Sequence, residues 1–261
     1  MNRGFSLVEL SIVLVILGLL TGGILAGQSL IRASELRSVV TSHQRYSAAI
    51  TTFRDEYAGF PGDFEDATRF WGRTTASLGC TTNSSAAITS PGSCDGNGDQ
   101  SLSNPTSTGN YGEIFLFWQH LAYAGLIEGK YTGYSGSGGA GHSVPGTNVP
   151  AGKISNSGWS VQYLGNFAGT SGDMFALDYG NTMIAGLAQS TNNTASPMLK
   201  PEEAWNIDTK LDDGKPAYGR LVTRFYSSCT SGAVSETSYS AAVYNVSSSS
   251  VVCALYFVKI W

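Results

Sequence analysis

The feature that most constrains this chain is an uninterrupted apolar run close to its start. No charged residue occurs from Leu10 to Gly27, and the apolar character continues to Leu30 and Ile31. A helix rises about 1.5 Å per residue, so a helix over this run is long enough to cross the hydrocarbon layer of a membrane. A cleavable secretory signal has a shorter apolar core that ends at a small-residue cleavage site. The run therefore predicts a membrane-spanning helix.

One acidic residue, Glu9, stands at the head of this apolar run. An ionised carboxylate inside an apolar membrane segment costs about 3 kcal/mol by insertion scales, so such a residue is expected to have a partner. One interpretation is that Glu9 lies at the membrane surface and is hydrated. The other interpretation is that Glu9 pairs with a cationic group of a neighbouring molecule in an assembly. The residues before Glu9 help to decide between the two.

The segment Gly-Phe-Ser-Leu-Val-Glu at residues 4–9 closely resembles the processing site of type IV prepilins and pseudopilins. The resemblance implies that a prepilin peptidase cuts between Gly4 and Phe5 on the cytoplasmic side and that the new amino group of Phe5 is methylated. Glu9 falls at the family's invariant glutamate, where the amine of a neighbouring subunit would pair with its carboxylate. Removing one member of such a desolvated pair costs roughly 3–5 kcal/mol. Glu9 is therefore expected to set the register of assembly.

The distribution of charge at the start of the chain predicts its orientation. Arg3 precedes the apolar run and no acidic residue precedes Glu9, so the amino terminus should stay in the cytoplasm. The expected location is the inner membrane, as a single-pass protein, and then a periplasmic or extracellular filament. The implied partners are identical or related pilin-like subunits, the prepilin peptidase and methyltransferase, and an inner-membrane assembly platform with its ATPase motor.

Four glycines lie in the apolar run, between residues 18 and 27. Gly18 and Gly22 are four residues apart, as are Gly23 and Gly27. Such spacings let helix backbones approach closely, which favours contacts between subunits. The competing interpretation is that glycine is simply common in membrane helices.

Beyond the apolar run, apolar residues recur at steps of three and four, which predicts an amphipathic helix with one packed face. These residues are Leu36, Val39, Val40, His43, Tyr46, Ile50, Phe53 and Tyr57. Gly59 and Pro61 predict the end of the helix. The expected organisation is a leader at 1–4, a spine helix at 5–58 with its transmembrane part at 5–31, and an extracytoplasmic globular domain at 59–261.

The remaining residues predict two further helices and an antiparallel sheet. Helices are expected at 111–127 and 200–213, the second opened by Pro201. Strands are expected at 159–164, 174–179, 182–187, 220–227, 240–246 and 251–260, with Gly180 and Asn181 as a tight hairpin between the second and third. The fold class is therefore α+β, and the resemblance implies a pilin-like layout with loop insertions.

Four cysteines lie in the part of the chain expected outside the cytoplasm. An even number in that setting favours disulfides, and sequence proximity suggests Cys80 with Cys94 and Cys229 with Cys253. Four cysteines allow three pairings. The competing interpretation is a zinc site, which lacks support because there is no Cys-x-x-Cys spacing and the three histidines are scattered.

A loop after Cys94 carries oxygen-bearing side chains at alternate positions, as in the first half of an EF-hand loop. The candidate calcium ligands are Asp95, Asn97, Asp99 and Ser101. The match is partial, because Gln100 stands where that motif has glycine and Thr106 where it has its bidentate glutamate. The competing interpretation is an ordinary polar turn.

Other acidic residues have simpler interpretations. Asp208, Asp212 and Asp213 are a second candidate cation site, although a hydrated helix end is the favoured explanation. Asp63 follows Pro61-Gly62 and is expected to cap the start of a short helix.

The composition and motifs argue against catalysis and nucleic-acid binding. Only 13% of residues are charged and the net charge is -4, which does not suit a nucleic-acid surface. Gly-x-Ser-x-Gly, phosphate-binding and His-Glu-x-x-His motifs are absent from the sequence. The expectation is a non-enzymatic subunit of a type IV pilus or pseudopilus. The alternatives are a signal-anchored enzyme and a membrane-anchored adhesive module that stacks ligands on Trp159, Tyr163, Tyr131 and Tyr134.

Overall fold

The computed structural model describes residues 7–74, 80, 92–170 and 172–261. Helix α1 runs over Leu7–Tyr57, and its end confirms the stop predicted from Gly59 and Pro61. Two compact units divide between Ser38 and Val39. The second unit takes in the last part of α1 together with all the sheet.

Four of the described strands form the central sheet, β1 (Ser157–Tyr163), β4 (Asn181–Leu187), β8 (Ala254–Phe257) and β5 (Leu221–Arg224), in that spatial order. Every pairing between these neighbours is antiparallel. With the long helix before it, the sheet gives the expected α+β class. Because the connections between neighbouring strands are long, the pairing is almost entirely non-local.

One face of the sheet packs against aromatic residues of α1 and α3 (Glu113–Tyr123). Tyr46 on α1 makes edge contacts with Trp118 on α3, at 4.9 Å between ring centroids, and with Trp159 on β1, at 5.4 Å. Trp118 and Tyr46 are among the largest fully buried side chains described. Burying an aromatic side chain removes a large apolar area from water, and paired rings add roughly 0.5–1.5 kcal/mol beyond that burial. The last part of α1 is therefore held by the core of the domain.

The opposite face of the sheet is also covered. Ile184, Val222 and Tyr256 lie on one row across the sheet and belong to a buried cluster with Phe175 and Tyr226. Two-residue strands flank this cluster, and they pair as β2 (Asn166–Phe167) with β3 (Leu177–Asp178) and β6 (Thr230–Ser231) with β7 (Val243–Tyr244). Burial on both faces explains why β1 and β4 are mostly buried along their length instead of alternating.

Three helices follow α1 in the described part of the domain. They are α2 (Ala67–Trp71), α3 and α4 (Pro201–Leu211), followed by one helical turn, α5 (Tyr226–Cys229). The predicted helices at 111–127 and 200–213 are confirmed, with shorter bounds. Pro201 occupies the first turn of α4, and the Glu203 carboxylate accepts a hydrogen bond from the Lys200 backbone N–H at 2.9 Å. That arrangement satisfies a donor at the start of the helix.

Several strand predictions are wrong. The hairpin predicted at Gly180 and Asn181 does not form, because β3 pairs with β2 and β4 pairs with β1 and β8. The strand predicted at 220–227 ends at Arg224, since Phe225 takes a left-handed conformation with φ 63° and α5 begins. The strand predicted at 240–246 reduces to β7 after a 3-10 turn at Tyr239–Ala241, and the strand at 251–260 to β8.

Candidate functional site

The first part of α1 is an apolar surface that the described protein leaves open. All the large apolar side chains from Leu7 to Ile31 are exposed, and α1 is the one described helix long and apolar enough to cross a membrane. The hydroxyls of Ser11, Thr21 and Ser29 donate hydrogen bonds to carbonyls three or four residues earlier. These polar groups are therefore satisfied inside the helix, as a membrane segment requires.

The four glycines lie on open helix surface. A Cβ atom added at Gly18, Gly22, Gly23 or Gly27 would meet nothing within 4 Å among the described residues. Packing within the described part of the chain therefore does not require glycine at these positions. Their small size is compatible with close approach by another helix.

Glu9 lies in the first turn of α1 and is exposed. A carboxylate at this end of a helix interacts favourably with the helix dipole. The processing residues Gly4 and Phe5 fall outside the described residues. The structure therefore describes the acidic member of the expected assembly contact.

Both predicted disulfides are present. Cys80 bonds to Cys94 with Cα atoms 5.5 Å apart, and Cys229 bonds to Cys253 with Cα atoms 5.1 Å apart. The second bridge joins the end of α5 to the residue before β8. These bonds consume all four cysteines, so the zinc interpretation has no thiolate ligands.

The loop after Cys94 is held by its own side chains and by neighbouring segments. The carboxylate of Asp95 is buried and accepts hydrogen bonds from the Thr68 backbone N–H at 2.7 Å and the Thr68 hydroxyl at 2.9 Å. Thr68 lies in the first turn of α2. The capping bond predicted for Asp63 is therefore supplied by Asp95, and Asp63 caps no helix.

Three of the four candidate calcium ligands in this loop accept hydrogen bonds from the protein itself. Asp95 turns to Thr68, whereas Asn97 and Asp99 accept backbone hydrogen bonds two residues ahead, from Asp99 and Ser101. These local bonds are the ones expected of a polar turn. Asp99 instead groups with Asp63 and Glu113, and one carboxylate oxygen from each of the three lies within 4.8 Å of the others.

Asp63 and Glu113 were not among the predicted ligands. They come close to Asp99 because segments that are distant in sequence pack together. Asp63 follows α1, and Glu113 is the first residue of α3. Burial, above all, raises the pKa of Asp63 to about 6. The backbone N–H groups of Gln100 and Gly98 oppose the rise in this pKa, and repulsion from Glu113 and Asp99 adds to it. The only sequence signal was an acid beside Pro61-Gly62 and another at the start of a predicted helix.

The three acids of the second candidate cation site lie close together, but each already accepts hydrogen bonds from the protein. Asp208, Asp212 and Asp213 bring their oxygens within 4.8 Å of one another at the end of α4. Asp208 accepts hydrogen bonds from the Tyr244 hydroxyl at 2.8 Å and the Gly214 backbone. Burial raises the pKa of Asp208 to about 7. Asp212 accepts from the Leu221 backbone N–H and Asp213 from that of Lys215, so the cluster organises the turn after the helix.

One of the four aromatic residues considered for an adhesive surface is buried. Trp159 is 3% exposed and packs between Tyr46 and Phe257. The prediction of Trp159 as a stacking platform is wrong, because β1 places it in the core. Tyr163 and Tyr134 are exposed, while the Tyr131 hydroxyl donates to the Glu128 carbonyl at 3.0 Å.

Comparison with known proteins supports the amino-terminal signal. Residues 1–25 match the family model described as the prokaryotic N-terminal methylation motif. Searches of curated proteins and of solved structures found no match. The chain therefore carries the prepilin-type cleavage and methylation signal. That signal, on a long apolar helix followed by an antiparallel sheet domain, supports a type IV pilin-like or pseudopilin-like protein and favours a structural role.

Proposed function

We propose that this protein is a non-enzymatic structural subunit of a type IV pilus or of a pseudopilus-like filament. The observation that carries the proposal is the methylation motif at residues 1–25, joined to an exposed apolar helix that begins at Leu7. In this proposal residues 1–4 are a leader, residues 5–58 are the spine, of which 5–31 cross the inner membrane, and residues 59–261 are the extracytoplasmic domain.

Assembly in this proposal proceeds through the helix. The peptidase removes the leader after Gly4, the methyltransferase modifies Phe5, and the platform with its motor lifts the subunit out of the inner membrane into the filament. The exposed apolar surface then exchanges lipid for the helices of neighbouring subunits. Glu9 pairs with the amine of Phe5 on a neighbouring copy, which places an opposite charge beside a carboxylate in an apolar setting.

The experiment compares Glu9→Gln with Glu56→Gln in cells that assemble the filament. Glu56 is an exposed glutamate on the same helix, in the second compact unit, so its substitution is a matched control. We expect Glu9→Gln to accumulate in the membrane fraction and to be depleted in the sheared-surface or cross-linked polymer fraction, whereas Glu56→Gln assembles normally. Intact mass should show wild-type protein starting at methylated Phe5. Mature protein that keeps residues 1–4, or Glu9→Gln that polymerises like wild type, would contradict the proposal.

A further inference from the structure

Three carboxylates from separate segments meet beside the loop that follows Cys94. Asp63 lies after the end of α1, Asp99 lies in the loop, and Glu113 is the first residue of α3. One oxygen from each lies within 4.8 Å of the other two. Asp63 and Glu113 are 4% and 6% exposed, whereas Asp99 is exposed. The group therefore has two buried members and one side that solvent reaches.

The negative charge of this group is not balanced within the described part of the chain. Among the described residues, no Lys, Arg or His nitrogen lies within 4.0 Å of these three carboxylates. Arg54 lines the same open cavity as Asp63, but its described ion-pair partner is Asp55, at 3.9 Å. Burying like charges together is unfavourable unless a cation or a proton compensates them.

Backbone donors hold two of these carboxylates in fixed positions. Glu113 accepts hydrogen bonds from the backbone N–H groups of Asn97, at 3.1 Å, and Ser103, at 2.9 Å, and from the Ser103 hydroxyl at 2.6 Å. Asp63 accepts one bond through Oδ2 from the Gln100 backbone N–H at 2.8 Å. These bonds favour the ionised form and leave the oxygens with further lone pairs.

The other oxygen of Asp63 is the observation that points to a ligand. Asp63 Oδ1 is buried and has no hydrogen-bond partner, although buried polar atoms are nearly always satisfied. It belongs to the carboxyl group that meets Asp99 and Glu113. A bound cation would explain both observations, because it would give the buried oxygen a partner and compensate the charge of the three acids.

We propose that Asp63, Asp99 and Glu113 together bind one Ca²⁺ ion. The donors are all carboxylate oxygens, which suit a hard cation and disfavour zinc or copper. Mg²⁺ usually takes one or two carboxylates in a strict octahedron, whereas Ca²⁺ accepts six to eight oxygens in irregular geometry. Three carboxylates from three segments, with water completing the shell on the side of Asp99, fit calcium better.

The ion would join the end of α1, the loop after the Cys80–Cys94 disulfide, and the start of α3. Each segment is otherwise connected to the others by hydrogen bonds and packing. Ligand binding to the folded state alone raises its stability in proportion to the logarithm of ligand concentration over the dissociation constant. Calcium should therefore stabilise this corner of the domain, and the proposal does not depend on filament assembly.

The test uses the full chain purified in detergent, with calcium binding measured by isothermal titration calorimetry and thermal unfolding measured in calcium and in EGTA. We expect one saturable Ca²⁺ site per chain and a higher Tm in calcium. Asp99→Asn, at an exposed position, should weaken calcium affinity at least tenfold without altering the Tm in EGTA. Asp63→Asn should abolish the calcium-dependent shift and leave the Tm in EGTA equal to or above that of wild type, because it removes an uncompensated buried charge.

Asp213→Asn is the matched control, because Asp213 belongs to the other acidic cluster. Its calcium affinity should equal that of wild type. The proposal is overturned by the absence of saturable calcium binding, by unchanged affinity in Asp99→Asn, or by loss of the site in Asp213→Asn. Equal affinity for Mg²⁺ and Ca²⁺ would overturn the assignment to calcium. A calcium-dependent Tm shift that persists in Asp63→Asn would also overturn the proposal, whatever the Tm of that variant in EGTA.

Discussion

The imidazole ring of His43 on α1 stacks on the ring of Phe257 on β8, with centroids 4.1 Å apart and an angle of 18° between the planes. The contact joins the helix to a central strand of the sheet. Burial lowers the pKa of His43 from 6.5 to about 4, so the stacked ring is neutral. Its Nδ1 atom is buried without a partner, which adds to the cost of the polar ring at this position.

His43 should make the domain sensitive to acid. Its pKa is lower in the folded chain than in the unfolded chain, so unfolding takes up a proton between pH 6.5 and about 4, and the free energy of unfolding falls over that interval. Each pKa unit corresponds to about 1.4 kcal/mol, which puts the loss on the order of 2–3 kcal/mol. His43→Phe keeps a stacked ring and removes the proton site. Denaturant unfolding at pH 7, 5.5 and 4.5 should show a smaller decrease for this variant, and parallel decreases would contradict the argument.

The Cys229–Cys253 disulfide should contribute strongly to the stability of the segments at the end of the chain. It closes a loop with a sequence separation of 24 residues, and closing a loop of this size is worth about 3 kcal/mol in the chain-entropy model. Replacing both cysteines by serine should lower the Tm by several degrees. The Cys80→Ser and Cys94→Ser double variant provides the comparison, and an unchanged Tm in the first variant would contradict the prediction.

Asp95 should stabilise the start of α2 from a distance in sequence. Asp95→Ala removes both bonds to Thr68 and leaves a buried donor unpaired, which should cost about 1–3 kcal/mol of unfolding free energy. Thr68→Ala removes the hydroxyl bond alone. In a double-mutant cycle the two substitutions should be non-additive, because they share a contact. Effects that add within about 0.5 kcal/mol would indicate no coupling.

The surface of α1 that carries Gly18 and Gly22 should matter only in the assembled state. A Cβ atom added at Gly22 meets nothing among the described residues within 4 Å, so Gly22→Leu should leave membrane insertion and the Tm of the domain unchanged. Filament yield should fall, because the larger side chain prevents close approach by a neighbouring helix. Leu20→Phe is the matched control, because Leu20 is 57% exposed and lies two residues from Gly22, on the other side of the helix. A wild-type filament yield in Gly22→Leu would mean that this surface makes no close helix contact.

Local signals were sufficient for the helices and the disulfides. The end of α1 follows from Gly59 and Pro61, and the start of α4 from Pro201, because backbone restrictions act within a few residues. The cysteine pairs lie near each other in sequence. The amphipathic spacing also located the buried residues Tyr46 and Phe53.

Local signals could not predict the strand pairing or the group of Asp63, Asp99 and Glu113, because both depend on contacts between segments that are distant in sequence. The strand predicted at 220–227 included Tyr226, yet Tyr226 stacks on Phe175 with centroids 4.9 Å apart and begins a helical turn that ends at Cys229, which bonds to Cys253. Asp63 and Glu113 meet Asp99 only after α1 and α3 pack together. The sequence shows the three acidic residues, but only the fold shows that they lie close together.

The internal bonding of Ser11, Thr21 and Ser29 has a further consequence for α1. A helix whose hydroxyl groups donate to its own backbone needs no hydrogen-bond partner for them from its surroundings. This holds whether those surroundings are lipid acyl chains or the helices of other subunits. In the proposed function, these three hydroxyls can therefore keep the same partners when neighbouring helices replace lipid around α1.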